Sequence, residues 1–148
     1  MSDDPLYRRD ILRLAADAYG AGHLPAPDAI GTAHNPACGD QVRVELALTA
    51  DRVTALAQTT QACILTQASA ALLAGVAPGR TRADLAALAD GVRAFLQGGQ
   101  APAGFEVFDG VVAHAGRHTC VLLPFEAALN ALQEAQPGPM TVKGQPIP

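Results

Sequence analysis

Apolar residues recur along this chain with two different periods, and the changes of period mark out its elements. Leu6, Tyr7, Ile11, Leu14 and Ala15 fall on one face of a helix over 4–19, with Arg8, Arg9, Arg13 and Asp17 elsewhere. Gly20 and Gly22 close that helix. Residues 20–37 carry Gly, Pro and Asp and read as a long loop with room for a short extended piece. From Val42 the period becomes two. Val42, Val44, Leu46 and Leu48 alternate with Gln41, Arg43, Glu45 and Ala47, the pattern of a strand with one wet face. Thr49-Ala50-Asp51 is a turn, and Val53, Ala55 and Ala57 continue the alternation on a second strand of a hairpin.

After Cys63 the helical period returns. Ile64, Leu65, Ala68, Leu72 and Val76 share a broad face, and Gly75 to Gly79 stops the helix. Thr81 and Asp84 stand in capping-box spacing at the head of a third helix, whose apolar face is Leu85, Leu88, Val92, Phe95 and Leu96. Gly98 to Gly104 is a loop, and residues 105–116 fit no single period beyond a short helical turn. A last helix over Thr119–Ala135 turns Leu122, Leu123, Phe125, Ala128, Leu129 and Leu132 inward. Residues 136–148 hold four prolines and two glycines and read as a disordered tail beyond a single domain over 1–135. The pattern predicts an α+β fold, a small antiparallel sheet with helices on one side.

Composition narrows the function more than the fold. At 148 residues the chain has room for one domain with a core of its own. Hydrophobic residues make up 49% and charged residues 16%, which is globular and not disordered. A formal charge of −4, 4% aromatics and no clustered basic residues argue against nucleic-acid binding. No stretch is long and apolar enough to span a bilayer, and the Met1-Ser2-Asp3-Asp4 start lacks the basic residues of a secretory signal, so a cytoplasmic, membrane-free protein is expected. Gly-x-Ser-x-Gly, a phosphate loop and paired catalytic carboxylates are all missing, which sets aside the familiar hydrolases.

The chemistry lies in the cysteines Cys38, Cys63 and Cys120. An odd number in a reducing compartment does not build a disulfide framework. Reduced thiols fill core space, act as nucleophiles or hold metals. All three stand at element ends. Cys38 lies in the turn Pro36-Ala37-Cys38-Gly39-Asp40, Cys63 where a strand hands over to a helix, and Cys120 at the start of the last helix. Two of them are near helix N-termini, where free N–H groups and the helix dipole favour a thiolate, the form that binds metals and attacks sulfur. Asp40 is two residues from Cys38, and the intervening Gly39 lets both side chains turn toward one ion.

Three segments carry a resemblance. Asn35-Pro36-Ala37-Cys38-Gly39-Asp40 before an alternating strand, Ala62-Cys63-Ile64-Leu65-Thr66-Gln67-Ala68-Ser69, and Arg117-His118-Thr119-Cys120-Val121-Leu122-Leu123-Pro124-Phe125-Glu126-Ala127 resemble the NifU N-terminal/IscU/SufU family of iron–sulfur cluster assembly scaffolds. The opening Leu6-Tyr7-Arg8 and Ile11 are similar to the family's first helix, and the likeness runs from Leu6 to Leu132. It implies a three-stranded antiparallel sheet packed against four to five helices with the site at one end. It implies that Cys38, Asp40, Cys63 and Cys120 surround one metal, zinc or iron, or an iron–sulfur cluster. It implies a cysteine desulfurase and recipient iron–sulfur or carrier proteins as partners. The long segment between Cys63 and Cys120, and Arg117 three residues before Cys120, resemble the SufU branch. Ala62 and Thr66 stand where the family has Gly and Ser, Thr59-Thr60-Gln61 replaces its aromatic-Gly-x-Gly approach, and Ala15 to Gly22 replaces its basic Asn-Pro segment.

The donor set itself is chemically informative. Three thiolates and one carboxylate suit tetrahedral Zn²⁺, whereas iron–sulfur clusters usually take four thiolates. Asp40 as a harder oxygen ligand weakens one corner of a soft site, and the hypothesis that follows is easier release of whatever is bound. Four anionic ligands leave Zn²⁺ with about two negative charges in excess. Arg117 can offset part of that or hydrogen-bond Asp40, or it is a solvated helix-end cation. His118 is a candidate substitute ligand, although a histidine of the helix's first turn is the plainer reading. His34 has a weaker claim, and His23 and His114 have none.

Three functions remain open. The first is a non-enzymatic scaffold on which a cluster is built. The second is a zinc-dependent sulfur acceptor in which Cys120 takes persulfide sulfur from a desulfurase by thiolate exchange, a sulfurtransferase activity. The third is a metal-binding interaction protein without assembly activity.

Overall fold

A computed structural model describes residues 8–37 and 39–135. Helix α1 (Arg9–Asp17) leads through a loop into β1 (Ala29–Asn35), β2 (Asp40–Thr49) and β3 (Arg52–Gln61). Helices α2 (Ile64–Val76) and α3 (Arg82–Leu96) follow. Two 3₁₀ segments, Phe105–Val111 and Ala115–Arg117, then lead into α4 (His118–Glu134). The sheet is antiparallel in the order β1-β2-β3. Helix α4 lies across β1 and β2, and α2 lies across β3. Helix α1 packs on α2, and α3 on α4. All four helices therefore stack on one side of the sheet, as the α+β reading requires.

Val42, Val44 and Leu46 point into the core, as their alternation predicts. On β3 the alternation breaks. A register shift between Ala47 and Leu48 pairs Leu48 with Val53 but Leu46 with Leu56. The extra residue flips the strand, so Val53 and Leu56 face inward and Ala55 and Ala57 sit opposite Ala47 and Glu45 on the other face. That outer face is partly roofed by the segment after α1. Glu45, buried in the central strand, accepts hydrogen bonds from His23 Nδ1 (2.6 Å), the Leu24 amide (2.9 Å) and Arg43 Nε (3.1 Å). The His23 contact leads burial and the other bonds in setting its acidity, and the carboxyl is held down at about 2.

Strand β1 occupies what reads in the sequence as loop. Its inward positions are Ala29, Gly31 and Ala33, too small to give an apolar signal. The reason is the helix above them. A Cβ at Gly31 would sit 2.2 Å from the Ala127 carbonyl oxygen and 2.3 Å from the Ala131 amide nitrogen. The backbone of α4 thus rests directly on β1, and Asn130 Nδ2 donates to the Thr32 carbonyl at 2.9 Å beside that contact.

The helices follow their patterns with local differences. Ile11 and Ala15 anchor α1, which ends earlier than expected, at a left-handed Ala18. Leu6 and Tyr7 lie outside the described residues, as do Cys38 and the expected disordered tail over 136–148. Helix α2 is buried on most of its surface, so Ser69, Ala70, Ala71, Leu73 and Ala74 join Leu65 and Ala68 inside. The Thr81–Asp84 capping box is present with both bonds, at 3.0 and 3.1 Å. In α4, Val121, Ala127 and Ala131 are buried and Leu122 and Leu129 only half so. Phe105, Phe108 and Val111 recur every three residues, the repeat of a 3₁₀ helix, and all three are fully buried. The Phe105 ring lies 5.6 Å from that of Phe125 and so braces α4 from below. No helix among the described residues is long and apolar enough to cross a membrane.

Candidate metal centre

The start of β2, the end of β3 and the N-termini of α2 and α4 all meet at one end of the sheet. Asp40 is the first residue of β2. It follows a tight turn in which the Gly39 amide donates to the Asn35 carbonyl (2.8 Å) and Asn35 Oδ1 accepts from the Ala37 amide (3.1 Å). Gly39 has φ +76°, the left-handed conformation that glycine adopts without strain. Cys63 is the N-cap of α2, and Cys120 lies in the first turn of α4.

One carboxylate oxygen of Asp40 and the sulfurs of Cys63 and Cys120 lie within 4.8 Å of one another. A tetrahedral zinc site with Zn–S bonds of about 2.3 Å has ligand–ligand edges of about 3.8 Å. Small side-chain rotations would therefore close the trio on one ion, and the donor chemistry fits. Asp40 and Cys120 are buried and Cys63 is half-buried, so the trio has one open side. Of the four residues that the resemblance gathers, three converge. The fourth, Cys38, belongs to the turn before Asp40 but is itself outside the described residues.

The neighbouring sulfurs push each other's acidity apart. The Cys120 thiol donates to Cys63, which outweighs burial, and with help from the Thr66 hydroxyl it brings the Cys63 thiol down to about 5. The same bond, with burial and the Cys63 charge added, pushes the Cys120 thiol up. Arg117 Nη1 lies 4.0 Å from Cys120 Sγ and opposes that rise. Ionisation is thus favoured at Cys63, the more exposed sulfur, over Cys120.

Two further residues shape the site. Thr66 is fully buried, and its Oγ1 lies 3.4 Å from Cys63 Sγ and 3.5 Å from Asp40 Oδ2. Ser69, also fully buried, donates to the Val121 carbonyl at 2.6 Å and so ties α2 to the turn that bears Cys120. Pro124 sits inside α4, where it has no N–H to offer the Cys120 carbonyl four residues back. His118 is turned away from the trio: its Nε2 lies 3.0 Å from the Val112 carbonyl and 3.2 Å from that of Val111. His34 is exposed on β1 and outside the cluster.

Fold and donor set together define a small α+β protein with a thiol and carboxylate cluster, of a kind that could hold a metal ion, at one end of its sheet. The chain matches the NifU-like N-terminal domain over residues 6–102 and belongs to that family. The crystal structure of a nitrogen-fixing NifU-like protein (N-terminal) from Brucella abortus is similar to it at 33% identity, with a TM-score of 0.84 over 89% of this chain and 95% of that one. A protein from Fervidobacterium islandicum AW-1, described as an iron–sulfur cluster assembly scaffold for the SUF system, shares the fold at 19% identity. Its TM-score is 0.80 over 88% of this chain and 99% of that one. Among curated proteins none matches the chain.

Proposed function

We propose that this protein is an iron–sulfur cluster assembly scaffold, with Cys38, Asp40, Cys63 and Cys120 as the groups that hold iron or zinc and the growing cluster. The observation that carries this reading is the convergence of Asp40, Cys63 and Cys120, from three separate elements, within 4.8 Å at one end of a NifU-like fold. Its partners are a cysteine desulfurase, which supplies sulfur, and recipient iron–sulfur or carrier proteins. The setting is the cytoplasm, where the thiols stay reduced.

The ligands divide the work by hardness. The thiolates bind soft iron and sulfide, and the Asp40 oxygen makes the weaker corner from which the product departs. The half-buried Cys63 gives an incoming ion or sulfur its first contact. Cys120 closes the site from behind.

A second reading follows from Arg117, whose guanidinium stands 4.0 Å from Cys120 Sγ. In a zinc-loaded protein it would stabilise a Cys120 thiolate that has left the metal. That thiolate attacks the outer sulfur of a desulfurase persulfide. A new S–S bond forms on Cys120, the old one breaks, and the desulfurase cysteine leaves as thiolate.

Anaerobic incubation with ferrous iron, L-cysteine and a cysteine desulfurase separates the readings. A scaffold turns brown, with iron and acid-labile sulfide on the chain, and Cys63→Ser and Cys120→Ser stay colourless. A sulfur acceptor stays colourless, keeps zinc and gains a persulfide on Cys120. Binding of neither metal, with unreactive thiols, would overturn both and favour an interaction protein without assembly activity.

A further inference from the structure

We infer that Thr66 is a positioning residue of the metal centre: its buried hydroxyl holds the Asp40 carboxylate and the Cys63 sulfur at the spacing from which they close on one ion. This rests on the reading of Asp40, Cys63 and Cys120 as ligands, and it adds a residue that does not itself bind metal.

Three observations carry it. Thr66 Oγ1 touches both ligands, at 3.4 Å from Cys63 Sγ and 3.5 Å from Asp40 Oδ2. The two ligands are 23 positions apart in the chain and on different elements, Asp40 opening β2 and Cys63 capping α2. The Asp40 half of the contact is therefore a tertiary bridge, while the Cys63 half spans the N-cap and third residue of α2. Thr66 is 0% exposed in the first turn of α2, so water cannot replace the hydroxyl there.

Threonine suits the task better than serine or valine. Its β-branch confines χ1, and the methyl packs in the core, so the oxygen is aimed without loss of rotamer freedom on binding. The hydroxyl has one proton and two lone pairs. It can donate to the carboxylate while accepting from a Cys63 thiol, or donate to a Cys63 thiolate. One side chain thus serves both the protonated and the ionised site. Hydrogen bonds of this outer kind commonly change metal affinity by about 10–100-fold when removed.

The experiment uses the full chain with Co²⁺ as a coloured stand-in for zinc and a competing chelator to measure affinity. Thr66→Val keeps shape and packing and removes only the hydroxyl. Thr66→Ser keeps the hydroxyl and frees the rotamer. Circular dichroism and thermal melting of the metal-free proteins check that each folds. The expected result is a loss of affinity of about tenfold or more in Thr66→Val, with a shifted Co²⁺ spectrum, and rescue to near the parent value in Thr66→Ser. In an Asp40→Ala background the Thr66→Val loss should shrink, because half of the bridge is already gone. A structural residue would give neither the rescue nor the dependence on Asp40. Equal Co²⁺ affinity and spectra in the parent and Thr66→Val would overturn the inference, as would the same loss with and without Asp40. If the parent itself binds Co²⁺ without thiolate-to-metal charge-transfer bands, the ligand assignment fails instead, and the two failures are told apart.

Discussion

The Ser69 hydroxyl donates to the Val121 carbonyl at 2.6 Å, between two side chains that are fully buried. That bond joins α2, which carries Cys63, to the turn of α4 that carries Cys120. It is an interhelical staple one residue away from a candidate ligand. Ser69→Ala is expected to cost about 1 kcal/mol of stability, the usual net worth of a buried hydrogen bond. Its effect on zinc affinity should exceed that of a stability-matched core substitution far from the site, such as Leu85→Val. Chemical denaturation and chelator competition read the two quantities, and equal affinities in Ser69→Ala and Leu85→Val would contradict the role.

The lowered Cys63 thiol makes a pH prediction. Cys63 is lowered from an ordinary 9.0 to about 5, chiefly by the Cys120 thiol. Its folded value is the lower one. Its contribution to the stability of the metal-free protein is therefore complete above pH 9 and is lost as pH falls through about 5. Thiolate absorbance near 240 nm should titrate far below the free-cysteine value of about 8.5, and alkylation at neutral pH should strike Cys63 before Cys120. Cys120→Ala should move the Cys63 midpoint upward. A midpoint unchanged by that substitution would dismiss Cys120 as the cause.

On the proposed reading, Asp40 sets the lifetime of bound product. Because its oxygen is the hard ligand of a soft site, Asp40→Ala should lengthen the survival of an assembled cluster severalfold under chelator challenge. Visible absorbance followed over time measures it. A shorter-lived cluster in the variant would reverse the assigned role of Asp40.

Gly31 tests the packing that fixes α4. A methyl group there would overlap the Ala127 carbonyl at 2.2 Å and the Ala131 amide at 2.3 Å, both backbone atoms. Gly31→Ala is expected to destabilise by about 3 kcal/mol or more, a fall in Tm of roughly 6–12 °C. Metal affinity should fall with it, since α4 brings Cys120. A Tm within a degree or two of the parent would show that α4 is free to lift.

The same glycine explains why part of the fold was hard to see in the sequence. A strand is legible when large apolar residues alternate, as at Val42, Val44 and Leu46. Where helix backbone presses on strand backbone, only Ala29, Gly31 and Ala33 fit, and the signature vanishes. The bulge at Ala47/Leu48 hid the facing of β3 for a different reason: an inserted residue changes phase without changing composition. The every-third spacing of Phe105, Phe108 and Val111 was present but belongs to neither the helix nor the strand template. The capping box at Thr81 and the apolar face of α3 were plain, because both are local.

The site divides in the same way. That Asp40, Cys63 and Cys120 belong together was legible through the likeness of their segments to the NifU-like family, whereas spacing alone pairs only Cys38 with Asp40 across Gly39. Thr66 and Ser69 were not, since a hydroxyl on an apolar helix acquires meaning only from its neighbour across the fold. His118 shows the converse. Its place two residues before Cys120 suggested a ligand, and its ring is spent on the carbonyls of Val111 and Val112.

Pro124 gives the first turn of α4 a character that the rest of the helix lacks. With no amide at 124 to hold the Cys120 carbonyl, the segment from His118 is tied to the ladder beyond the proline by one bond fewer, and the Ser69–Val121 bond keeps it seated. Opening there would carry Cys120 away while Asp40 and Cys63 stay seated on the sheet and on α2. That turn thus depends on one interhelical bond, and Ser69→Ala should speed amide exchange at residues 121–123 relative to the helix beyond Pro124.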